Sequence, residues 1–378
     1  MKTSYMRIRA GISTLAIATA ASAQPIVDGT ITAGEYGDAA SLQNTSTDFG
    51  NNTDPIASYA NGSELDVAYT TISQGTLYIG LVGTLESNWN KFDMFIDCRD
   101  GGQQRILGIN PDVDYSALQT MGDDGSGNGL TFDTGFEADY WVSVTCGDYK
   151  GIGIQYHASS AQLKTNGDGT GAYLGMGTTS DDGSGPVVTP IVSADGIEVA
   201  LNNAATGGVS GGTSLDCGET DDTTGIEIAI PLPVFDWDFE GIPFDSVRIT
   251  AMISSSDHSY VSNQVLGGID GGDNLGDVRL IDLGTIAGDQ FFQVGVEASP
   301  CPDIYMGACC FANGECWEGL QAEDCDNARG LWMGTDTTCD DCDLGGGGND
   351  CPTDTTGDGT TNVDDLLEVI SHFNEVCP

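Results

Sequence analysis

The sequence predicts an all-β chain: one large β-sandwich of jelly-roll type, a small disulfide-rich module after it, and a C-terminal loop that leads into a helix. Three observations carry that expectation. Short runs in which apolar and polar residues alternate recur from Leu65 to Val296, and each gives a strand one apolar face. The stretches between them are dense in Gly, Asp, Ser and Thr, and none keeps a 3.6-residue apolar period. Nine of the twelve cysteines fall between Cys301 and Cys377.

The chain opens with Lys2, Arg7 and Arg9, a run of mostly apolar or small residues, and Ala21-Ser22-Ala23, an A-x-A cleavage signature. Residues 1–23 therefore read as a secretory signal, and the mature protein is expected to be secreted, extracellular or at the cell surface. The apolar core of the signal is too short to cross a bilayer, and no later stretch approaches the ~20 apolar residues that a membrane span needs. Without the signal, 8 basic residues face 57 acidic ones, a net charge of −49. Such a field repels nucleic acid and anionic membranes and attracts divalent cations. Most of these carboxylates are expected to form a solvated surface.

Residues 24–297 make up the expected sandwich. Leu65, Val67 and Tyr69 alternate with polar partners, and Leu77, Ile79 and Leu81 do so after a Ser73-Gln-Gly turn, which predicts a hairpin. Further strands are expected at Phe92-Met94-Ile96, Tyr140-Val142-Val144, Ile197-Val199-Leu201, Ile226-Ile228-Ile230, Val247-Ile249-Ala251-Ile253 and Phe292-Val294-Val296. The opening Ile26-Val-Asp28-Gly-Thr-Ile-Thr-Ala-Gly34-Glu-Tyr36 resembles that of family 9 carbohydrate-binding modules and DOMON-like sandwiches. In that resemblance Leu77–Leu81 matches the display strand, Lys91–Asp97 an edge strand ending in acidic residues, and Gly225–Leu232 a strand ending in an Ile-Pro-Leu step. The resemblance implies a non-catalytic sandwich that binds extracellular polysaccharide.

Sugar rings present apolar faces that stack on aromatic rings, so a glycan platform would come from Trp89, Trp141, Tyr173 or Trp237. Trp89 lies in the polar stretch Ser87-Asn-Trp-Asn-Lys, which suits an exposed aromatic. Trp141 falls in an alternating strand, opposite in facing to Tyr140 and Val142. For each of the four, core packing competes with a sugar contact. Lys91, Arg99 and Arg105 are rare cations near the same strand, placed either to bond hydroxyls or to pair with neighbouring Asp. The Asp/Gly clusters at Asp123-Asp124-Gly125, Asn166-Gly-Asp168-Gly169, Asp181-Asp182-Gly183 and Asp270-Gly-Gly-Asp273 read as tight-turn chemistry, with a second cation site as the competing reading.

Residues 298–343 form the cysteine-rich module. In an exported chain, Cys301, Cys309, Cys310, Cys316, Cys325, Cys339 and Cys342 read as a disulfide framework, and their spacing lacks the paired C-x-x-C of a zinc site. Cys98, Cys146 and Cys217 are odd in number, so one of them either pairs with Cys301 or stays a thiol. The order Gly307-Ala-Cys309-Cys310-Phe-Ala-Asn-Gly-Glu-Cys316, Cys325, Gly330-Leu-Trp332, Cys339 resembles a short module of secreted proteins from planctomycete-type bacteria. A module this small depends on its bridges for stability.

A Gly-rich linker at 344–350 leads to the last segment, 351–378. There Asp354, Thr356, Asp358, the Thr360 carbonyl, Asn362 and Asp365 occupy positions 1, 3, 5, 7, 9 and 12 of a calcium loop, with Gly359 at the sixth. Leu366, Leu367, Ile370 and Phe373 follow at helical spacing, and the Gly and Pro residues upstream leave no entering helix. Cys351 and Cys377 bracket the element and are placed to staple it. The loop with only its exiting helix resembles one repeat of a type I dockerin, which implies Ca2+ binding and docking to a cohesin-like or cell-surface protein.

Catalysis finds little support. His157, His258 and His372 are far apart in sequence, and there is no G-x-S-x-G, no H-E-x-x-H and no phosphate loop. The expected protein is a secreted, calcium-binding, non-catalytic binder and tether of polysaccharide. Two alternatives stand beside it: a calcium-stiffened envelope or matrix protein, and an accessory polysaccharide hydrolase with an unrecognised carboxylate pair.

Overall fold

The computed structural model describes residues 24–43, 45, 47–49, 62–148, 151, 153–179, 188–205, 223–237, 247–269, 273–298, 307–311, 315–320, 325, 328–333, 337–339, 342 and 363. It falls into two compact units, Met1–Cys301 and Pro302–Pro378. The chain is all-β. The first unit contains β1 (Ala39–Leu42), β2 (Glu64–Ser73), β3 (Thr76–Thr84), β4 (Asn88–Asp97), β5 (Tyr140–Asp148), β6 (Ile154–Gln162) and β7 (Gly171–Thr178). It continues with β8 (Ile191–Val192), β9 (Glu198–Leu201), β10 (Gly225–Pro231), β11 (Arg248–Ser254), β12 (Tyr260–Leu266), β13 (Gly276–Asp277) and β14 (Phe292–Gln293).

These strands make two antiparallel sheets, ordered β1-β2-β3-β10-β9-β8 and β13-β12-β11-β4-β5-β6-β7, with β14 beside β11. The apolar residues of the alternating runs meet between the sheets. Leu77, Ile79, Leu81, Ile226, Ile228 and Ile230 from one face Phe92, Met94, Ile96, Val142, Val144 and Ile249 from the other. Burying each such side chain contributes about 1.5–3 kcal/mol, which is why the alternation fixes the register. The β2–β3 hairpin turns at Gln74 (φ 50) and Gly75 (φ 79), both left-handed, as a two-residue turn requires.

Several features depart from the sequence expectations. Strands β6 and β7 carry too few apolar residues to show alternation, yet β6 pairs with β5 over its whole length. Short helices form at Ala33–Tyr36 and Ala117–Met121, where no helical period exists. The strand Lys91–Asp97, compared above with an edge strand, is central: β11 pairs with it from Arg248↔Asp97 to Ser254↔Lys91, and β5 takes its other side. Phe292-Val294-Val296 gives only a two-residue strand, β14.

Each sheet is also covered on its outer face. Over the smaller sheet, Val27, Ile31 and Tyr36 of the opening segment pack on Val67, Tyr78, Val82 and Ala229. They are pinned by buried Glu227, whose carboxylate accepts the Asp28 and Gly29 amides at 2.9 and 2.7 Å and the Tyr36 hydroxyl at 2.7 Å. Burial pushes the Glu227 carboxyl up to about 7. Over the larger sheet, residues from Ile106 to Ala138 fold onto Phe95, Trp141 and Ala161 to make a second core.

The second unit holds β15 (Gly307–Cys310), β16 (Cys316–Leu320) and β17 (Leu331–Trp332) in one sheet. Among the described residues three disulfides join it: Cys309–Cys325, Cys310–Cys342 and Cys316–Cys339. Cys98 is a buried thiol. The signal, Cys217, Cys301, the linker, Cys351, Cys377 and the calcium-loop positions Asp354, Thr356, Asp358, Thr360, Asn362 and Asp365 lie outside the described residues. Among the described residues no helix is long and apolar enough to cross a membrane.

Candidate functional site

The outward side chains of the larger sheet run in rows across β4, β5 and β6, and their polarity changes along the strands. Phe95, Trp141 and Ala161 form one row, Asp93, Ser143 and Ser159 the next, and Lys91, Thr145 and His157 the last. The apolar row lies beneath the second core. The polar end stays open as a groove of about 1000 Å³, lined by Trp89, Lys91, Thr145, Asp148, His157, Ser159, Tyr173 and the loop Asp112–Tyr115. That volume lies at the upper end of the usual range for small-molecule sites, ~300–1,000 Å³.

Backbone irregularities aim the aromatic residues at this groove. Asn88 and Lys91 pair with Gly147 and Thr145, so Trp89 and Asn90 oppose Cys146 alone in a bulge that puts Trp89 at φ 73. The indole lies on Gly147, where an added Cβ would come within 2.2 Å of its ring. A second bulge, on β7, leaves Leu174 without an opposite residue and turns Tyr173 outward, 60% exposed. His157 sits between the two. Its ring centroid is 5.9 Å from that of Trp89 and 6.0 Å from that of Tyr173, and its Nδ1 is 2.7 Å from the Tyr173 hydroxyl. Burial and neighbouring Lys91 push the His157 pKa below its ordinary value, favouring the neutral ring.

Across the loop 112–116 three successive non-glycine residues are left-handed: Asp114 (φ 46), Tyr115 (φ 56) and Ser116 (φ 68). Each costs on the order of 1 kcal/mol, so the loop needs an anchor. Asp114 supplies it. Its carboxylate accepts the Lys91 ammonium at 3.1 Å on both oxygens and His258 Nε2 at 3.0 Å. His258 Nδ1 reaches Asp93 at 3.0 Å, and Asp93 also accepts Trp141 Nε1 at 3.0 Å and the Ser254 hydroxyl.

Burial opposes a charge on His258, but the two carboxylates outweigh it and push its pKa up to about 9. The ring is then an imidazolium, and both nitrogens donate. Burial would likewise raise Asp114, yet His258 and Lys91 hold it down at about 2. Lys91, Asp114, His258 and Asp93 thus form a neutral quartet beneath the loop, and Tyr115 above it is 98% exposed.

The four aromatic residues singled out in the sequence have different positions. Trp89 and Tyr173 share the groove. Trp141 is fully buried in the second core, so it braces Asp93 from behind and offers no surface to a ligand. Its outward facing was legible, but the cover over it comes from residues 106–138. Trp237 lines a separate pocket of about 400 Å³, with the Arg99 guanidinium 4.6 Å from its ring centroid. The rare cations take Asp partners: Lys91 with Asp114, Arg99 with Asp236 at 3.7 Å and Arg105 with Asp123 at 4.0 Å. Asp123 caps its own turn through the Gly125 and Gly127 amides, as turn chemistry predicts. Tyr115, His157 and the Asp93–His258–Asp114 link escape sequence reasoning, since His258 is 165 residues from Asp93 and 144 from Asp114. The chain matches no family model, no curated protein and no solved structure.

Proposed function

We propose that this is an exported, non-catalytic protein that binds an extracellular polysaccharide in the groove and is tethered through a calcium-binding C-terminal segment. The observation that supports the binding half is the convergence of Trp89, Tyr115 and Tyr173 on one open groove, two of them aimed by bulges and one held on a strained, anchored loop. Ring faces suit the C–H faces of pyranoses, while Asp112, Asp148, Tyr173 and His157 offer hydrogen bonds to hydroxyls.

The tethering half rests on sequence. Asp354, Thr356, Asp358, the Thr360 carbonyl, Asn362 and Asp365 would hold Ca2+, and the exiting helix would dock to a cohesin-like or cell-surface protein. Native gels cast with a panel of soluble polysaccharides test the binding half. Retardation by at least one polysaccharide is expected, and Trp89→Ala or Tyr115→Ala should weaken it roughly tenfold or more, on the order of what losing one stacked ring costs. Retardation unchanged in both variants would place binding outside the groove. Calorimetric calcium titration of the full chain tests the tail: Asp358→Ala should remove one site, and an unchanged titration refutes the assignment.

A further inference from the structure

We infer that the glycan this groove takes is an amine-bearing one, a chain of hexosamine units with free, protonated amino groups. This rests on the polysaccharide-binding reading and adds the charge of the ligand to it. Among the described residues the only lysine or arginine lining the groove is Lys91, and it is already committed: both Asp114 oxygens lie 3.1 Å from its ammonium, and its side chain is only 5% exposed. His157 is given to the Tyr173 hydroxyl. Among the described residues, no uncommitted cationic side chain lines the groove to receive a uronate or a sulfate.

Negative charge there is not compensated in the same way. Asp112 and Asp148 are both exposed at the groove, and their partners are neutral: the Ser116 hydroxyl at 3.1 Å and the Gly153 amide at 3.3 Å. Among the described residues neither carboxylate has a cationic partner. Two uncompensated carboxylates beside Trp89, Tyr115 and Tyr173 form the combination that holds an organic ammonium, since the carboxylate supplies charge-assisted hydrogen bonds and the ring faces supply cation–π attraction. A neutral glycan would use the rings and take only hydroxyl hydrogen bonds from the carboxylates, whereas an acidic one would be repelled by them. The net charge of −46 steers a cationic chain toward the protein but does not select the groove, so the test must separate the two effects.

Tryptophan-fluorescence titration with three soluble tetrasaccharides of similar size makes that separation: β-1,4-linked glucosamine, its N-acetylated form and cellotetraose. At mildly acidic pH the glucosamine oligomer should bind roughly tenfold tighter than the other two, and added salt should shrink the gap. The Asp112→Asn/Asp148→Asn variant should lose the preference, so that the three oligomers bind with similar affinity. Asp195→Asn/Asp289→Asn makes the same change in net charge away from the groove and should keep the preference. Equal or tighter binding of the neutral oligomers overturns the inference and leaves the binding reading intact. A preference that survives in the groove variant also overturns it, because bulk charge then suffices. If no polysaccharide or oligosaccharide binds, the binding reading falls and the inference with it.

Discussion

Replacing His258 by Asn should convert a pH-dependent part of the stability of the first unit into a pH-independent one. Asn suits the perturbation because residue 258 sits at φ 61, a left-handed conformation that Asn tolerates, and because it cannot carry charge. In the folded protein Asp93 and Asp114 outweigh burial and push His258 from an ordinary 6.5 up to about 9. A raised folded pKa favours folding most when the ring is protonated in both states. That contribution is whole below about pH 6.5 and is lost as pH rises through about 9. Its size follows from the shift: two to three pKa units are about 3 kcal/mol, undiminished by solvent because His258 is buried.

The assay is urea unfolding followed by tryptophan fluorescence at about pH 6 and about pH 9.5, for the wild type and His258→Asn. The difference between the two proteins should be about 3 kcal/mol at the lower pH and less than about 1 kcal/mol at the higher. Taking the difference cancels Asp97, Asp139 and Glu227, whose pKa values burial raises to between about 6 and about 7. A difference that does not change with pH would refute the placement of an imidazolium between Asp93 and Asp114. The loop anchor would then be steric rather than electrostatic.

Gly147→Ala should displace the Trp89 indole, since the new Cβ falls within 2.2 Å of it; glycan affinity should drop as in Trp89→Ala, with little loss of unfolding free energy. Tyr36→Phe removes a hydrogen bond to buried Glu227 and should destabilise the first unit by about 1–3 kcal/mol, read as a lower urea midpoint. Reduction should unfold the cysteine-rich unit, each native bridge being worth about 2–5 kcal/mol, and proteolysis after reduction should cut within residues 302–378 while sparing the sandwich. The Glu227 carboxyl, raised to about 7, makes the docking of the opening segment less favourable as pH rises from about 4.5 to 7. Hydrogen exchange at Ile31 and Tyr36 should therefore be slower at about pH 5 than at about pH 8, after correction for intrinsic rates.

The alternating runs were legible because a strand with one buried face must repeat every second residue. Leu77-Ile79-Leu81 and Phe92-Met94-Ile96 pointed to the core without any knowledge of their partners. Strands β6 and β7 were not legible, since Gly, Ser, Ala and Gln leave no alternation to detect and only pairing with β5 makes them strands. Trp89 and Tyr173 could be singled out as candidate platform aromatics, together with Trp141 and Trp237. That bulges in two different strands would turn Trp89 and Tyr173 toward the same His157 could not be read from residues 84 positions apart.

The sequence by itself determined the all-β class, the inward faces of most strands, the opening hairpin and a cysteine-rich module held by bridges. These follow from local periodicity, turn chemistry and composition, each written within a few residues. Only the tertiary structure decided which outward face is covered and which is open. Residues 106–138 fold over Phe95 and Trp141 but leave a groove beside Trp89, His157 and Tyr173, and His258 arrives from the far end of the unit to lock Asp114. Packing across more than a hundred residues leaves no period in the chain, because partners so distant are chosen by shape and charge once the sheets have formed.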